Sequence, residues 1–304
     1  MSTPLSAFPH RDHPRTPQAG QSASSFLQER LTLSQATTFD LAHYAILWLK
    51  AGRLSAQAGF QRWTLTANQF LVINPNQTLR LSPAADEPVE IVLTKISKAL
   101  FQDQLTQLTE LETFATLRNH TEGNGHLELC ERIYEAQENE LGTQLIQQSR
   151  QAYQAVPGTA KDFSEPARDI TEALISLQNT AYQQMLNLTS AKLSTKRELY
   201  RRLCIARTHM HGHLDEALDL DTLAQVACLS KYHFIRLFKE AFGQTPRQYL
   251  ITLRLDQART LLIQTDKTFH EICHEVGLKD SSSFGRLFKR SFGATPHLYR
   301  QQYA

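Results

Sequence analysis

Residues 234–239, Phe-Ile-Arg-Leu-Phe-Lys, recur fifty positions later as Phe-Gly-Arg-Leu-Phe-Lys at residues 284–289. The match continues downstream, because Phe-Gly-x-Thr-Pro-x-x-Tyr at 242–249 returns at 292–299. Upstream, the apolar positions of 223–229 align with 272–278 at an offset of forty-nine, so the second copy has one extra residue in its turn. The C-terminal third of the chain is therefore an internal repeat of two short units.

The first unit, residues 219–242, predicts a helix, a tight turn and a second helix. Asp219 and Ser230 are suited to cap these helices, since short polar side chains accept hydrogen bonds from the free amides of a first turn. Phe234, Leu237 and Phe238 follow the helical spacing of an inward face. The unit therefore has the pattern of a helix-turn-helix motif.

The second unit, residues 268–292, repeats this pattern with its own signals. Thr268 and Glu271 have the spacing of a capping box at the start of the first helix. Gly277 supplies the turn, and Asp280 is suited to cap the second helix. Two helix-turn-helix units therefore follow one another in this part of the chain.

The second helix of each unit is a recognition-helix candidate, because its exposed first turns can enter a major groove about 12 Å wide. In the first unit we expect Tyr232, Ile235 and Arg236 to contact base edges, with Ile235 limited to apolar contact. The outward residues of the second helix are Ser281, Ser282, Gly285, Arg286 and Lys289. The side chains expected on phosphates are Lys231, His233, Lys239, Lys279, Lys289 and Arg290.

A linker helix is predicted between the units. Pro246 after Thr245 is favoured in a first turn, where its missing N–H is not needed. A helix of about 17 residues would be ~25 Å long at 1.5 Å per residue. Such a helix can hold the units so that they reach successive major-groove segments, about 34 Å apart for one turn of DNA.

Charge is unevenly distributed along the 304 residues. Residues 196–304 hold 17 Lys and Arg against 11 Asp and Glu, a net of +6, whereas residues 1–195 have a net of −4. A basic C-terminal third indicates a polyanionic partner, here double-stranded DNA. Any one outward residue of the two recognition-helix candidates could be merely a solvated charge on a helical bundle. That explanation does not account for the same set of residues occurring in both units.

The N-terminal two thirds predict a leader and a mixed α and β region. Residues 1–25 are rich in Ser, Pro, His and Gln, and we interpret them as a disordered leader that is no signal peptide. Residues 26–120 contain short alternating apolar runs broken by turn residues, which predict a small β domain of the jelly-roll or cupin type. Residues 121–195 predict helices that act as a linker or a dimerisation region.

The first helical pattern in residues 121–195 is formed by apolar residues three and four positions apart. These are Leu127, Cys130, Ile133 and Tyr134, and they predict a helix. A longer helix begins near Ser164, with one apolar stripe. The stripe consists of Ile170, Leu174, Leu177, Ala181, Met185 and Leu188. It is either an internal core face or the seam of a homodimer.

The cysteines and the hydropathy of the sequence indicate where in the cell the protein is expected. The four cysteines, Cys130, Cys204, Cys228 and Cys273, form no CxxC pair, so neither a disulfide framework nor a cysteine zinc site is indicated. No stretch approaches the ~18 apolar residues of a membrane span. We therefore expect a cytoplasmic protein that associates with the nucleoid.

The repeat resembles the DNA-binding domain of the AraC/XylS family of bacterial transcription regulators. The resemblance covers roughly residues 197–303 and is carried by five motifs. These are Leu-Ser-x-x-x-Phe-x-Arg-Leu-Phe-Lys at 229–239, Gly-x-Thr-Pro at 243–246, Arg-Leu-x-x-Ala at 254–258, Val-Gly-Leu-x-Asp at 276–280 and Phe-Gly-x-Thr-Pro-x-x-Tyr-Arg at 292–300.

The resemblance implies a monomeric, seven-helix DNA-binding domain and an N-terminal domain for effector binding or dimerisation. Transcription activation is the usual activity, with RNA polymerase as a partner beside DNA. A small-molecule effector and a second copy of the chain are further candidate partners. Carried over by position, the family's base contacts fall on Tyr232, Ile235 and Arg236, and on Ser281, Ser282, Ser283 and Arg286.

The chain departs from the family pattern in the second unit. Leu278 and Ser283 stand where bulky aromatic residues are often found, and Gly285 carries no side chain. The segment from Tyr44 to Lys98 also resembles the family's jelly-roll sensor. No histidine lies between His43 and His120, which argues against the metal-binding version of that barrel.

Two metal sites are the competing hypotheses. Residues 270–280 fit the zinc-protease pattern HExxHxxGxxD, but Glu271, Gly277 and Asp280 already have capping or turn roles in the repeat. His209, His211 and His213 could make a metal-responsive regulator, although alternating residues of a helix do not share a face. We therefore expect no enzyme, no cofactor and no metal ligands.

Overall fold

The computed structural model describes residues 26–84, 88–118, 120, 127–153, 164–190, 192–278 and 281–303, without the side chains of 150–153, 164, 281 and 282. The predicted leader 1–25, the candidate contact Lys279 and the predicted cap Asp280 lie outside the described residues. The chain consists of an antiparallel β unit, helices packed on it, and a C-terminal array of helices. The predicted α+β architecture, with a β-rich N-terminal part and an all-α C-terminal part, is confirmed.

The β unit consists of two layered antiparallel sheets. Its strands are β1 (Phe26–Leu33), β2 (Thr37–Leu41), β3 (Tyr44–Ala51), β4 (Arg53–Ala58), β5 (Gln61–Thr66), β6 (Gln69–Ile73), β7 (Gln77–Pro83), β8 (Val89–Ile96) and β9 (Ile133–Glu135). One sheet has the order β1-β8-β3-β6-β9 and the other the order β2-β7-β4-β5. The small β domain predicted from the alternating runs is thus present, and its strands form two sheets.

Strand β3 is buried on both faces, because each face meets a different layer. Ala45, Leu47 and Leu49 point between the two sheets and join the aliphatic interior, while the alternate residues face the helices. Leu47 pairs with Leu71 of β6 and with Leu93 of β8, and all three are fully buried. Aliphatic side chains therefore fill the space between the sheets.

The helix predicted around Leu127–Tyr134 is wrong. Residues 127–132 form no helix, and β9 pairs antiparallel with β6, with Ile133 opposite Leu71. Ile133 joins the interior between the sheets, whereas the Tyr134 ring stacks on Phe70 of β6 at 5.2 Å on the other face. Apolar spacing of three and four residues did not distinguish a helix from an extended segment buried on both sides.

Helices cover the outer face of the five-stranded sheet. They are α1 (Lys98–Thr109), α2 (Ala115–Arg118), α3 (Glu140–Tyr153) and α4 (Ser164–Leu186), with a 3-10 turn at Glu112–Phe114. The apolar stripe of α4 lies in the same core as the outward residues of β3, and α4 packs against α1, α3, α5 and α7. The stripe is therefore an internal core face.

Seven helices make up the described C-terminal part, as the family resemblance implies. They are α5 (Leu193–Gly212), α6 (Leu220–Val226), α7 (Lys231–Phe242), α8 (Pro246–Gln264), α9 (Phe269–Glu275), α10 (Ser281–Phe292) and α11 (Pro296–Tyr303). The α6–α7 unit shares its core with the N-terminal part, whereas α9 and α10 pack on the C-terminal half of α8 in a separate cluster. No helix among the described residues is long and apolar enough to cross a membrane.

Candidate nucleic-acid interface

The first recognition-helix candidate, α7, is bounded by clear signals. Gly243 ends it in the left-handed region with φ +75°, and Ser230 stands at the N-cap position. The Ser230 hydroxyl makes no capping hydrogen bond, so only the position of this predicted cap is correct. Phe234, Leu237 and Phe238 are buried as predicted. The opposite side of α7 is left for solvent or a ligand.

The expected base-contacting residues of α7 differ in exposure. Tyr232 is 87% exposed, and the Arg236 side chain is 61% exposed with Glu240 3.9 Å away. That distance is long for an ion pair and leaves the guanidinium able to reorient. Ile235 is half-buried against the core, so it lies at the edge of this surface.

The expected phosphate-contacting residues of α7 differ in their exposure and in their contacts within the protein. Lys231 Nζ lies 2.7 Å from Asp221 Oδ2 of α6, and this hydrogen bond raises the pKa of Lys231. Asp221 therefore competes with a phosphate for the charge of Lys231. Lys239 is exposed, and His233 is half-buried.

The second recognition-helix candidate, α10, has the same inward face. Phe284 and Phe288 are buried, and Gly293 follows the helix with φ +78°. The exposed Arg286 donates from Nη2 to Ser283 Oγ at 3.1 Å. Lys289 and Arg290 are also exposed, while the side chains of Ser281 and Ser282 lie outside the described part of the chain.

Gly285 does not project outward as the sequence pattern suggested. It is half-buried, and a Cβ placed on it would lie 3.7 Å from Cε1 of Phe269 in α9. Its repeat partner Ile235 is half-buried as well. One step beyond the buried Phe of each unit, the helix surface is therefore partly covered.

Helix α8 joins the two units, as predicted. Thr245 and Gln248 form a capping box with Pro246 in the first turn, and the helix has 19 residues, slightly more than expected. The buried Arg254 of α8 donates from Nε to Leu214 O at 3.1 Å and from Nη2 to Glu216 O at 2.6 Å. These bonds fix the loop between α5 and α6 to the linker helix.

Gly277 brings the second unit against the same loop. It has φ +74°, and a Cβ placed on it would lie 2.4 Å from Leu214 O and 2.8 Å from Arg254 Nη2. A glycine is needed here for both the left-handed backbone and the close approach. The turn of the second unit is thus anchored to the loop that precedes the first unit.

The protease-like stretch has a structural role. Glu271 Oε2 accepts hydrogen bonds from Thr268 N at 2.7 Å and from Thr268 Oγ1 at 2.8 Å, which lowers the pKa of Glu271. His270 and His274 are exposed, and no group of three or more His, Cys, Asp or Glu among the described residues is placed to hold a metal. The predicted capping box is present, and Glu271 completes it.

The histidines of α5 separate into two groups. The His209 and His213 rings stack at 4.1 Å, and burial lowers the pKa of His209. His211 instead contacts Glu138 Oε1 at 3.0 Å and the Tyr249 hydroxyl at 2.9 Å. The three imidazoles do not converge. Sequence analysis missed the His211 contacts, because Glu138 and Tyr249 are remote in sequence.

A family profile described as a helix-turn-helix domain matches residues 223–302. The MmsAB operon regulatory protein of Pseudomonas aeruginosa is 37% identical over 94 residues, which is 31% of each chain. The HTH-type transcriptional activator RhaS of Enterobacter is 34% identical over 123 residues, 40% of this chain and 44% of its own. The chain thus spans less than half the length of either relative.

Among solved structures, this chain is similar to a transcriptional regulator of Chromobacterium violaceum that is described as containing an AraC-type DNA-binding domain. It is 33% identical and covers 34% of this chain and 92% of its own, with a TM-score of 0.33. The sequence matches fall on the segment that forms the two helix-turn-helix units. The C-terminal part of the chain is thus a helix-turn-helix domain of the AraC/XylS type.

Proposed function

We propose that the chain binds double-stranded DNA in a sequence-specific manner, with α7 and α10 in successive segments of the major groove. The observation that carries this proposal is the duplicated basic surface: each unit exposes an Arg at the same repeat position, Arg236 and Arg286, opposite a buried Phe cluster. A helix of 19 residues joins the units and is about 28 Å long at 1.5 Å per residue. That length is comparable to one turn of DNA.

Arg236 and Arg286 supply most of the sequence discrimination in this proposal, because a guanidinium can donate two hydrogen bonds to guanine O6 and N7. Tyr232, with its exposed ring, adds a contact to a base edge or the sugar. Ile235 contributes an apolar edge suited to a thymine methyl. The serines of the second helix, Ser281, Ser282 and Ser283, complete the set as weaker readers of the adjoining bases.

Phosphate contacts supply most of the affinity, through Lys231, His233, Lys239, Lys279, Lys289 and Arg290. Lys239 and Lys289 hold equivalent positions in the two units, and both are exposed. Helices α7 and α10 would therefore make equivalent contacts with the DNA phosphates. Binding should weaken steeply with salt, since each neutralised phosphate releases counterions.

Transcription activation in response to a small-molecule effector is the regulatory part of the proposal. It is supported by the name of the relative RhaS, a transcriptional activator, and by the contacts between the N-terminal part and the first unit through α4 and α7. RNA polymerase is the partner that activation requires. A second copy of the chain would bind through a surface other than the α4 stripe, and the protein would act in the cytoplasm at the nucleoid.

A mobility-shift assay on the full chain tests the DNA-binding proposal. Fragments selected from the source genome should be retained at moderate ionic strength in the presence of an excess of scrambled competitor. A variant with both Arg236→Ala and Arg286→Ala should lose this preference, while Arg80→Ala, an exposed Arg on β7, should keep it. Equal retention of selected and scrambled fragments by the wild-type chain would refute the proposal.

A further inference from the structure

Helix α7 carries a single acidic residue, Glu240, near its C-terminal end. Only 21% of the Glu240 side chain is exposed, and its two carboxylate oxygens have different neighbours. Oε2 accepts a hydrogen bond from the backbone N–H of Thr189 at 3.0 Å, and Oε1 lies 3.9 Å from Nη1 of Arg236, one helical turn back. One carboxylate thus connects the segment between α4 and α5 with the expected base-reading arginine of the first unit.

The hydrogen bond from Thr189 keeps Glu240 charged and in place. Burial opposes the ionisation of Glu240, but the hydrogen bond from Thr189 and the neighbouring Arg236 and His233 outweigh burial, so that the pKa of Glu240 is lowered. A hydrogen bond between a backbone N–H and a carboxylate is also stronger than one between neutral groups. The negative charge beside Arg236 is therefore held by the backbone of a different segment.

Thr189 lies in a segment that the neighbouring helices hold. Leu188, which precedes it, is buried in the core that α4 shares with α7. On the other side of the segment, Lys196 of α5 donates from Nζ to Leu186 O at 2.6 Å. A displacement of α4 or α5 relative to α7 would therefore move Thr189, and with it the carboxylate of Glu240.

A fixed carboxylate one turn from a base-reading arginine lowers the cost of reading. A long side chain loses rotamer freedom when it binds a base, and a bias toward the bound conformation reduces that loss. Arginine has five N–H donors, so Arg236 can direct two of them at guanine O6 and N7 and still face Glu240 with another. Because the separation is 3.9 Å, the carboxylate biases the guanidinium without immobilising it.

The second unit has a different arrangement at the equivalent position. At the offset of fifty that relates the two recognition-helix candidates, Arg290 takes the place of Glu240, and it is exposed. Arg286 donates instead to Ser283 Oγ of its own helix at 3.1 Å. In the part of the chain that the structure describes, only Arg236 of the two repeat-related arginines therefore faces an acid that another segment holds.

We propose that Glu240 is a positioning residue for Arg236, and that its hydrogen bond with Thr189 makes base discrimination by the first unit depend on how the N-terminal part packs against α7. This role rests on the proposed function, because Arg236 is a base reader only if the chain binds DNA specifically. The second unit reads its bases without this dependence. A change in the packing of the N-terminal part would thus alter discrimination by α7 and leave that by α10 intact.

Glu240→Gln tests the positioning role, because the amide oxygen of Gln can still accept the hydrogen bond from Thr189 while the charge beside Arg236 is lost. Fluorescence anisotropy on the full chain measures the preference for a selected fragment over scrambled DNA. This preference should fall about threefold, as expected for the loss of an exposed ion pair. The ratio of the two affinities is the readout, since removing an acid from α7 strengthens binding to any DNA.

The same substitution in the Arg236→Ala background separates positioning from a structural role. There it should leave the preference unchanged, because Glu240 has no arginine to position. Glu172→Gln, exposed on α4 about 21 Å before the end of that helix, removes the same charge and should also leave the preference unchanged. An equal fall for Glu240→Gln with and without Arg236, or no fall in its presence, would overturn the proposal.

Two measurements test the connection to Thr189. Amide hydrogen exchange on the full chain should show a slowly exchanging Thr189 N–H in the wild type and in Glu240→Gln, and faster exchange in Glu240→Ala, which removes the acceptor. Thr189→Pro removes the donor and should lower the DNA preference when Glu240 is present, but not in the Glu240→Gln background. If Thr189→Pro does not fold, hydrogen exchange decides, and equal exchange in the wild type and Glu240→Ala contradicts the connection.

The wild-type chain distinguishes a failure of this inference from a failure of the proposed function. A wild-type preference for selected DNA that Glu240→Gln leaves at full strength would contradict only the positioning of Arg236. A wild-type chain without any such preference would contradict the proposed function itself, and the positioning role would fall with it.

Discussion

His211 of α5 contacts Glu138, which follows β9, and Tyr249 of α8, with Nδ1 3.0 Å from Glu138 Oε1 and Nε2 2.9 Å from the Tyr249 hydroxyl. A single imidazole thus connects the N-terminal part of the chain with the helix that joins the two helix-turn-helix units. The His211 side chain is 10% exposed, so water competes little for these contacts. We expect this histidine to restrain the two parts relative to each other.

A double-mutant cycle of Glu138→Gln and His211→Gln measures this restraint. The two changes should show a coupling of about 1 kcal/mol in the free energy of unfolding, which is typical of a hydrogen bond to a charged or partly buried group. Urea unfolding of the four proteins provides the measurement. Glu140→Gln, on the nearby start of α3, is the control and should show no coupling with His211→Gln. Additive effects of Glu138 and His211 would contradict the restraint.

Stability should depend on pH through Glu198. Hydrogen bonds from Arg201 and Arg202 lower the pKa of Glu198 from 4.5 to about 2. Because the folded-state pKa is depressed, the stabilisation is fully present above about pH 4.5 and is lost as the pH falls toward 2. The group is more than a third exposed, so we expect only about 1 kcal/mol after solvent screening.

The Glu198→Gln variant checks that window. Its unfolding free energy should fall below that of the wild type at pH 7, and the difference should shrink between about pH 4.5 and pH 2. Chemical denaturation at a series of pH values measures the difference. A constant difference across this range would show that the ion pairs do not stabilise the fold.

Gly277→Ala should destabilise the chain more than Gly243→Ala. Both glycines have a left-handed backbone, with φ +74° and +75°, so both substitutions carry a similar conformational cost of about 1 kcal/mol. Only at Gly277 would the new Cβ collide with the backbone, at 2.4 Å from Leu214 O, whereas nothing lies within 4 Å at Gly243. Urea unfolding should therefore rank the two variants, and equal losses would contradict the close packing of this turn.

Arg236→Ala should weaken binding to a selected DNA site by about 1–3 kcal/mol and binding to random DNA by much less. Lys239→Ala should weaken both by similar amounts and lower the salt dependence by about one counterion. Fluorescence anisotropy titrations at several salt concentrations separate these two patterns. Equal losses on both DNAs for Arg236→Ala would remove it from the set of base readers.

The helix-turn-helix units were predictable because their signals are local. The Asp219 cap, the Thr268–Glu271 capping box and the Gly277 turn each depend on residues within a few positions, and all three are present in the structure. The repeat added a second, independent copy of the same pattern. Local chemistry and hydrophobic spacing agree there, which is the condition for a sequence to specify its fold clearly.

Features that depend on distant contacts were not predictable. Arg132 donates a hydrogen bond from Nη1 to Cys204 Sγ, although the two residues are 72 positions apart. No local sequence pattern near either residue predicts this contact. The same holds for His211 and Glu138. Ile235 and Gly285 were taken as outward residues, but both are half-buried, Ile235 against the core and Gly285 near Phe269 of α9. Helical periodicity alone does not give the width of a buried face.

The strand order affects truncated fragments of the chain and the nascent chain during translation. β9 completes the edge of the five-stranded sheet next to β6, although residues 74–132 separate these two strands in the sequence. A fragment that stops at residue 120 would expose the hydrogen-bonding groups of β6 to other chains, a common route to aggregation. During translation, the nascent sheet would keep that open edge until residue 135 has left the ribosome.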